Sequence, residues 1–338
     1  MKEALGTSAT QIKNQTAFID YASIWFGTLT ETKLEDMYMI KMNEPLNMEI
    51  TGPLADPADN PITLGTNWKW IGYPVGEAMP VNDAFSNITP ASGDYVKSQV
   101  GFAQYYDGLG WMGTLNNMVP GQGYMYQNTS GTVKTLVYPE ANAKSELRAN
   151  ITSENNHWVP NPTKYPTNMT MIATVEGMKD YEVAAFCNGE VRGSARPIYV
   201  EQLDSYMLFL TIYGENGDKI SFRYYDVNNE EEIELIDVMN YSVNATIGDV
   251  MNPYTLNFST LSIDELSGSF KVYPNPVDKD SEIFLGKEYE KVEIYNTLGV
   301  KIAEYTNVDS IEGIETSGVY VVKVISNAKV SYSRVIVR

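Results

Sequence analysis

The chain of 338 residues holds one histidine, His157, and one cysteine, Cys187. Any chemistry that needs an imidazole or a thiol must therefore pass through these two. His157 lies in ENNHWVPNP, a turn-rich stretch. A Ser–His–Asp or Cys–His set would need that single ring to act as base, and a solvated loop histidine is the simpler reading. Cys187 stands beside Asn188 and Gly189, the residue pair that tight hairpin turns prefer. No partner base is suggested there, so a half-buried structural thiol is expected. One cysteine also permits no intrachain disulfide. The motifs C-x-x-C, H-E-x-x-H, Walker and dinucleotide fingerprint are missing from the sequence. The expectation is no catalytic residue, no bound metal and no cofactor.

Two weaker constellations remain. Carboxylates are plentiful enough for a glycosidase pair, yet that chemistry needs a deep cleft. The segment DVNNEEEIEL gathers Asp226, Glu230, Glu231 and Glu232 around a loop. Oxygen ligands suit Ca²⁺, but the spacing is not that of a dedicated loop, and a solvated acidic turn is favoured. The aromatics Trp68, Trp70, Tyr73, Trp111, Tyr124 and Tyr126 have the chemistry of a platform on which sugar rings stack. The competing reading, which is favoured, makes them core, because large aromatics dominate burial in small β units.

Composition narrows the setting. Basic residues number 24 against 43 acidic, a net charge of −19, most of it before residue 263. Such a chain is repelled by nucleic acid and by anionic membranes. Hydrophobic residues make up 43%, with 24 tyrosines, enough for real cores. No apolar run approaches the ~20 residues of a membrane span. The opening MKEALGTSATQIKNQ lacks the apolar centre of a signal peptide.

The elements that carry these residues are repeated. IKNQTAFIDY (12–21) matches VKSQVGFAQY (96–105): Lys13, Gln15, Phe18 and Tyr21 recur as Lys97, Gln99, Phe102 and Tyr105. WFGTLTETKLEDMYMI (25–40) then matches WMGTLNNMVPGQGYMY (111–126) after two extra residues. Trp25, Gly27, Thr28, Leu29, Tyr38 and Met39 recur as Trp111, Gly113, Thr114, Leu115, Tyr124 and Met125. The second copy has an earlier half, TLGTNWKWIGYPV (63–75) and PVNDAF (80–85), that the first lacks. The chain thus opens inside a repeat and is expected to be the C-terminal piece of a longer protein, with an exposed sheet edge at its start. Alternation puts Trp68 and Trp70 on one face of a strand. Residues 95–106 and 111–115 read as a strand pair around Asp107 and Gly108, and 80–87 as one helical turn with Asn82 near its cap.

Between about 151 and 260, strands are expected at 169–175, 181–186, 190–195, 206–214, 219–226, 232–236 and 254–258. Turns at Asn188 with Gly189 and at Asn216 with Gly217 separate some of them. Seven strands at this spacing predict an antiparallel sandwich.

The tail opens with VYPNPV (272–277). Its two prolines remove donors and push Tyr273 and Asn275 toward extended geometry. The segment can lie along a sheet edge but cannot be an interior strand. A hairpin follows at 291–305, turning at 296–299. Strands come next at 318–326 and 331–338. The order FKVYPNPV, VEIYNTLGVKI, GVYVVKV and a terminal basic–apolar alternation resembles the type A C-terminal sorting domain of the type IX secretion system of Bacteroidetes, over residues ~263–338. The resemblance places Val272, Tyr273, Pro274, Asn275, Pro276, Gly299, Gly318, Tyr320 and Arg334 on motif positions. Arg334 stands where the family often has Lys. It implies recognition by the secretion machinery, removal of the tail by a sortase-like peptidase and attachment of the cargo to lipopolysaccharide. WKWIGYP, GDYVKSQ and PGQGYMY resemble repeats beside such tails in Bacteroidetes surface proteins. NMTMIA, VAAFCNGEVRG and FLTIYG resemble a companion β domain. Neither resemblance carries an activity.

The expectation is an all-β chain: an incomplete repeat unit (1–56), a complete one (61–140), a β-sandwich (151–260) and an immunoglobulin-like sorting domain (263–338). The body is read as a non-catalytic interaction or structural module of an exported cell-surface or secreted protein, with a glycan or host surface protein as its partner. The alternative is a carbohydrate-binding accessory region of a larger polysaccharide-degrading enzyme. That the chain is itself a hydrolase is the weakest reading.

Overall fold

A computed structural model describes residues 2–47, 52–140, 147–175, 180–258, 272–297, 299–326 and 329–338. The chain is all-β and divides into two compact units, Met1–Asn257 and Phe258–Arg338.

The two repeat copies fold alike, bond for bond. The strands Ala9–Lys13, Phe18–Ala22, Ile24–Gly27 and Met39–Met42 form a four-stranded sheet in which Ala9–Lys13 and Phe18–Ala22 are central. The strands Tyr95–Lys97, Phe102–Tyr106, Gly110–Gly113 and Tyr124–Gln127 repeat that order. The first turn is held by a side chain in both: Asn14 Oδ1 accepts from the Thr16 and Ala17 N–H groups, and Ser98 Oγ from those of Val100 and Gly101. The segment 95–106 is therefore two strands rather than the one expected, because this turn reverses the chain at 98–101. Thr28 Oγ1 accepts from Phe18 N–H as Thr114 Oγ1 does from Phe102. Gly27 and Gly113 have φ of 140° and 155°, and a Cβ at either would sit 2.3 or 2.1 Å from the Phe18 or Phe102 carbonyl oxygen. Only glycine fits there. Tyr38 and Tyr124 each accept a backbone N–H at 2.7 Å, from Lys33 and Val119.

The second copy has a fifth strand, Trp68–Ile71, paired with Tyr124–Gln127. Its earlier half supplies Ile62, Leu64, Ile71, Tyr73, Val81 and Phe85 to a core closed by Tyr124, Tyr126 and Tyr138. The helical turn falls at Val81–Ala84, with Pro80 as its N-cap and Asn82 inside it rather than at the cap.

The strands Asn168–Val175, Tyr181–Cys187, Glu190–Ala195, Ser205–Tyr213, Lys219–Asp226, Glu231–Asn240 and Tyr254–Leu256 match the seven expected. They form two sheets. The order is Glu190–Ala195, Tyr181–Cys187, Lys219–Asp226, Glu231–Asn240 in one. In the other, Ser205–Tyr213 lies against Asn168–Val175. That sheet is not purely antiparallel: Thr246–Ile247 and Tyr254–Leu256 run parallel to Asn168–Val175. Both faces of this sheet are covered. Ile172, Met207 and Phe209 pack against Tyr95, Phe102 and Tyr106 of the second repeat. Burial on two sides explains the near-continuous apolar run MTMIATV, where one covered face would give alternation.

Repeat and sandwich are joined by a reciprocal clasp. Lys97 Nζ donates to Asn168 O (3.1 Å), Asn168 Oδ1 (2.7 Å) and Asn244 Oδ1 (2.9 Å). Asn168 Nδ2 donates back to the Ser98 and Gln99 carbonyls. The neighbouring repeats meet through the equivalent loop: Gln15 donates to Trp68 O at 2.8 Å and accepts from Trp70 N–H at 3.0 Å.

In the second unit the strands Ile283–Asn296, Lys301–Ile311, Gly318–Ser326 and Lys329–Val337 form one sheet. Ile283–Asn296 and Gly318–Ser326 are central. The core gathers Val272, Val277, Ile283, Leu285 and Tyr289 against Val292, Ile294, Val322, Val324, Val335 and Val337.

Candidate functional site

VYPNPV lies on the outer edge of the last strand, as a segment with two missing donors must. Both X–Pro bonds, Tyr273–Pro274 and Asn275–Pro276, are cis. The donors that the prolines lack are replaced by one side chain. Asn275 Nδ2 donates to Arg334 O at 2.6 Å, and Asn275 Oδ1 accepts from Ile336 N–H at 2.9 Å. The amide thus imitates a peptide unit of a neighbouring strand. Val277 takes over with backbone bonds to Ile336 and Arg338. On the other side Tyr273 exchanges both backbone bonds with Phe284, and their rings stack at 5.7 Å. Val272 and Val277 bury on either flank.

The other motif residues have structural roles. Gly299 has φ of 77° in the turn where its N–H donates to Asn296 O. Gly318 opens its strand opposite Val337. Tyr320 is buried, its hydroxyl donating to Thr316 O at 2.9 Å. Arg334 faces away from the core and is exposed, since Ser333 and Val335 on either side of it are buried.

That outward face carries a charge cluster that sequence reading did not single out. Glu293 pairs with Lys291 (3.1 Å), Lys301 (3.4 Å) and Lys323 (2.9 Å), and accepts from the Tyr295 hydroxyl at 2.9 Å. These hydrogen bonds, Lys323 first, hold its carboxyl well below the usual carboxylate range. Strand register aligns Glu304, Glu293, Lys323 and Tyr332 in one row across four strands. The signal was present as polar residues alternating with Val292 and Ile294, but the row exists only once the strands are in register.

Residues 271–338 match the family model of the secretion system C-terminal sorting domain. The tail is a sorting domain of the type IX secretion system. The sorting domain marks the chain for secretion to the cell surface. No curated protein matches the chain. Among solved structures, the amphioxus IgVJ-C2 molecule aligns at 9% identity over 50% of this chain and 96% of that one, with a TM-score of 0.14, too low to bear on the fold.

In the body, the six aromatics do not form one platform. Tyr124 and Tyr126 are fully buried and Tyr73 nearly so. Trp111 packs on Phe85 and Tyr126 at 5.1 and 6.0 Å. Trp68 lies edge-on to Tyr95 at 5.9 Å, beneath the Lys97 ammonium at 5.1 Å. Trp70 is half-buried on the strand whose backbone Gln15 engages. Tyr126 donates at 2.7 Å to Asp94, a fully buried carboxylate that also takes Lys134 Nζ, Thr129 and the Ala91 N–H. Burial alone would raise the Asp94 pKa, but these donors, Lys134 foremost, more than offset it and hold it below its ordinary value. Burial, with Asp94 beside it, pushes the Tyr126 hydroxyl far up.

His157 is not a free loop side chain. Its ring stacks on Tyr225 at 3.9 Å, and its Nε2 lies 2.9 Å from Glu232, in the strand Glu231–Asn240. Its backbone N–H and that of Trp158 both donate to buried Glu182. Asp226 is occupied by its own turn, accepting from Asn228 and Asn229. Among the described residues no three His, Cys, Asp or Glu side chains are grouped as a metal site, and no helix is long and apolar enough to cross a membrane. Cys187 is fully rather than half buried. A groove of about 290 Å³ runs between the second repeat and the sandwich, lined by Thr114, Asn156, Ser194, Arg196, Phe209 and Thr211 among others.

Proposed function

We propose that the chain is the surface-displayed or secreted cargo of type IX secretion, with a body that is a non-catalytic structural or interaction module. The sorting domain carries this reading. Support for the body's role comes from where its reactive groups are spent. His157 is stacked on Tyr225 and joined to Glu232, Cys187 is buried, and Tyr124 and Tyr126 are committed to the core. The machinery recognises the folded tail; a sortase-like peptidase then removes it and attaches the cargo to lipopolysaccharide. Deleting residues 334–338 removes half of the last strand and the partners of Asn275. In a secretion-competent host this deletion should hold the protein in the periplasm. Undiminished surface display would refute the sorting role.

One observation favours a second reading, glycan binding by the body. The groove beside Arg196 is lined by polar and apolar side chains alike and, at about 290 Å³, is close to the smallest ligand sites, which start at roughly 300 Å³. Arrays of glycans, mucins and matrix proteins probed with the folded full chain decide between the two. Saturable binding to one glycan class, lost in Arg196→Ala, selects the second.

A further inference from the structure

In the complete repeat, the strand Tyr124–Gln127 is covered on its outer edge by Trp68–Ile71. Its counterpart in the first repeat, Met39–Met42, pairs with Ala9–Lys13 on one side and, among the described residues, with nothing on the other. The adjoining face is only partly covered. Tyr124 and Tyr126 are fully buried, yet their equivalents Tyr38 and Ile40 are only half-buried. Trp111 rests on Tyr105 at 5.5 Å and on Phe85 at 5.1 Å. Trp25 keeps the equivalent partner, Tyr21 at 5.2 Å, and among the described residues no aromatic takes the place of Phe85. At the offset of 84 residues, the counterparts of residues 62–84 fall before Met1, and that of Phe85 is Met1 itself. A small cluster around Leu5, Ala9, Ile12, Ile19 and Leu29 covers only part of the sheet. Leu46 at 41% and Met42 at 37% add exposed apolar surface beside the edge.

We propose that the edge Met39–Met42 and the face bearing Trp25, Tyr38 and Ile40 form an acceptor site for the first half of another repeat unit. The occupant is a segment of the type of residues 62–85, laid antiparallel on Met39–Met42 as Trp68–Ile71 lies on Tyr124–Gln127. Its strand supplies the missing backbone bonds, and its later aromatic fills the place that Phe85 fills against Trp111. The two sheets share their bond pattern at Asn14 and Ser98, Thr28 and Thr114, Gly27 and Gly113, and Tyr38 and Tyr124. The acceptor geometry is therefore already built. Residues 62–85 of the same chain are engaged in their own core, so the half-unit must be a different copy of that segment. An open edge with an apolar face is a template for strand addition, and in repeat arrays each unit packs against its neighbour.

The offset of 84 residues between copies defines the test. A copy of residues 57–85 is joined directly before Lys2, replacing Met1 of the full chain, so that the register continues and Phe85 is included. Amide hydrogen exchange at residues 38–42 should slow at least about tenfold against the unextended chain, with a higher melting temperature. Unchanged exchange at 38–42 in the extended chain overturns the proposal. If the extension does not fold, a synthetic peptide of residues 61–90 is added to the unmodified chain. Protection at 38–42 with a scrambled peptide inert supports the site. Protection absent there, or confined to 124–127 by strand exchange, overturns it.

Discussion

Asn275 stands in for a peptide unit beside Ile336: its Oδ1 accepts the Ile336 N–H at 2.9 Å while its Nδ2 donates to Arg334 O at 2.6 Å. Two prolines strip the segment of donors, and the asparagine between them restores one donor and one acceptor. The last strand of the sorting domain thereby gains a partner on an edge that would otherwise be open.

Asn275→Ala should destabilise the sorting domain by about 1–3 kcal/mol, the cost of two lost bonds that leave backbone groups unpaired. Asn275→Asp keeps the acceptor but sets a negative charge against the Arg334 carbonyl, and should cost at least as much. Denaturant unfolding of the full chain followed at Tyr273 or Phe284 labels reads this. Equal stability of wild type and Asn275→Ala would mean that the amide bonds do not matter.

Lys97 predicts an unusual pH dependence. Burial pushes its pKa from 10.5 down to about 7, in a site whose acceptors, Asn168 and Asn244, are neutral. The unfolded chain then binds more protons than the folded one between pH 7 and 10.5, so the stability of the first unit rises with pH across that window. At 1.36 kcal/mol per pKa unit the full span is on the order of a few kcal/mol. Denaturation midpoints at pH 7, 8 and 9 should climb in the wild type and stay flat in Lys97→Met. A wild-type midpoint that falls over this range would contradict the assignment.

Asp94 acts in the opposite sense. Its folded pKa lies below the ordinary value, so its contribution is fully present above the unfolded pKa and fades as pH falls through the folded one. Asp94→Asn leaves the Lys134 ammonium without its buried counter-charge and should cost about 3–5 kcal/mol at neutral pH. The difference between variant and wild type should shrink at acid pH. A difference independent of pH would assign the loss to shape and not to charge.

Trp68→Ala separates core from platform. Trp68 lies between Tyr95 and the Lys97 ammonium. Because it is only half-buried, truncation should cost roughly 2–3 kcal/mol, below the 3–5 of fully buried aromatics. The same variant should leave any glycan signal on the array unchanged once folding is restored by temperature. Lost binding with an unaltered melting transition would make Trp68 a ligand contact.

The repeat, the seven sandwich strands and the sorting tail were legible in the sequence, because each is written locally. Gly27 and Gly113 sit where only glycine clears a carbonyl, and Asn188 with Gly189 take φ of 51° and 80° in a hairpin turn. Strand alternation is equally local, since side-chain direction is set by the backbone within two residues. The split of 95–106 into two strands was missed because Ser98 is an unremarkable residue until its hydroxyl accepts two N–H groups at the turn. What lay beyond reach were contacts between distant segments. Lys97 with Asn168, His157 with Glu232, and Glu293 with three lysines depend on which strands become neighbours and in what register. The sequence by itself determined the β units, their repetition and the sorting tail, through spacing and turn chemistry. Only the tertiary structure decided which charges are buried, which aromatics are core and which edge stays open, because burial and pairing belong to no single segment.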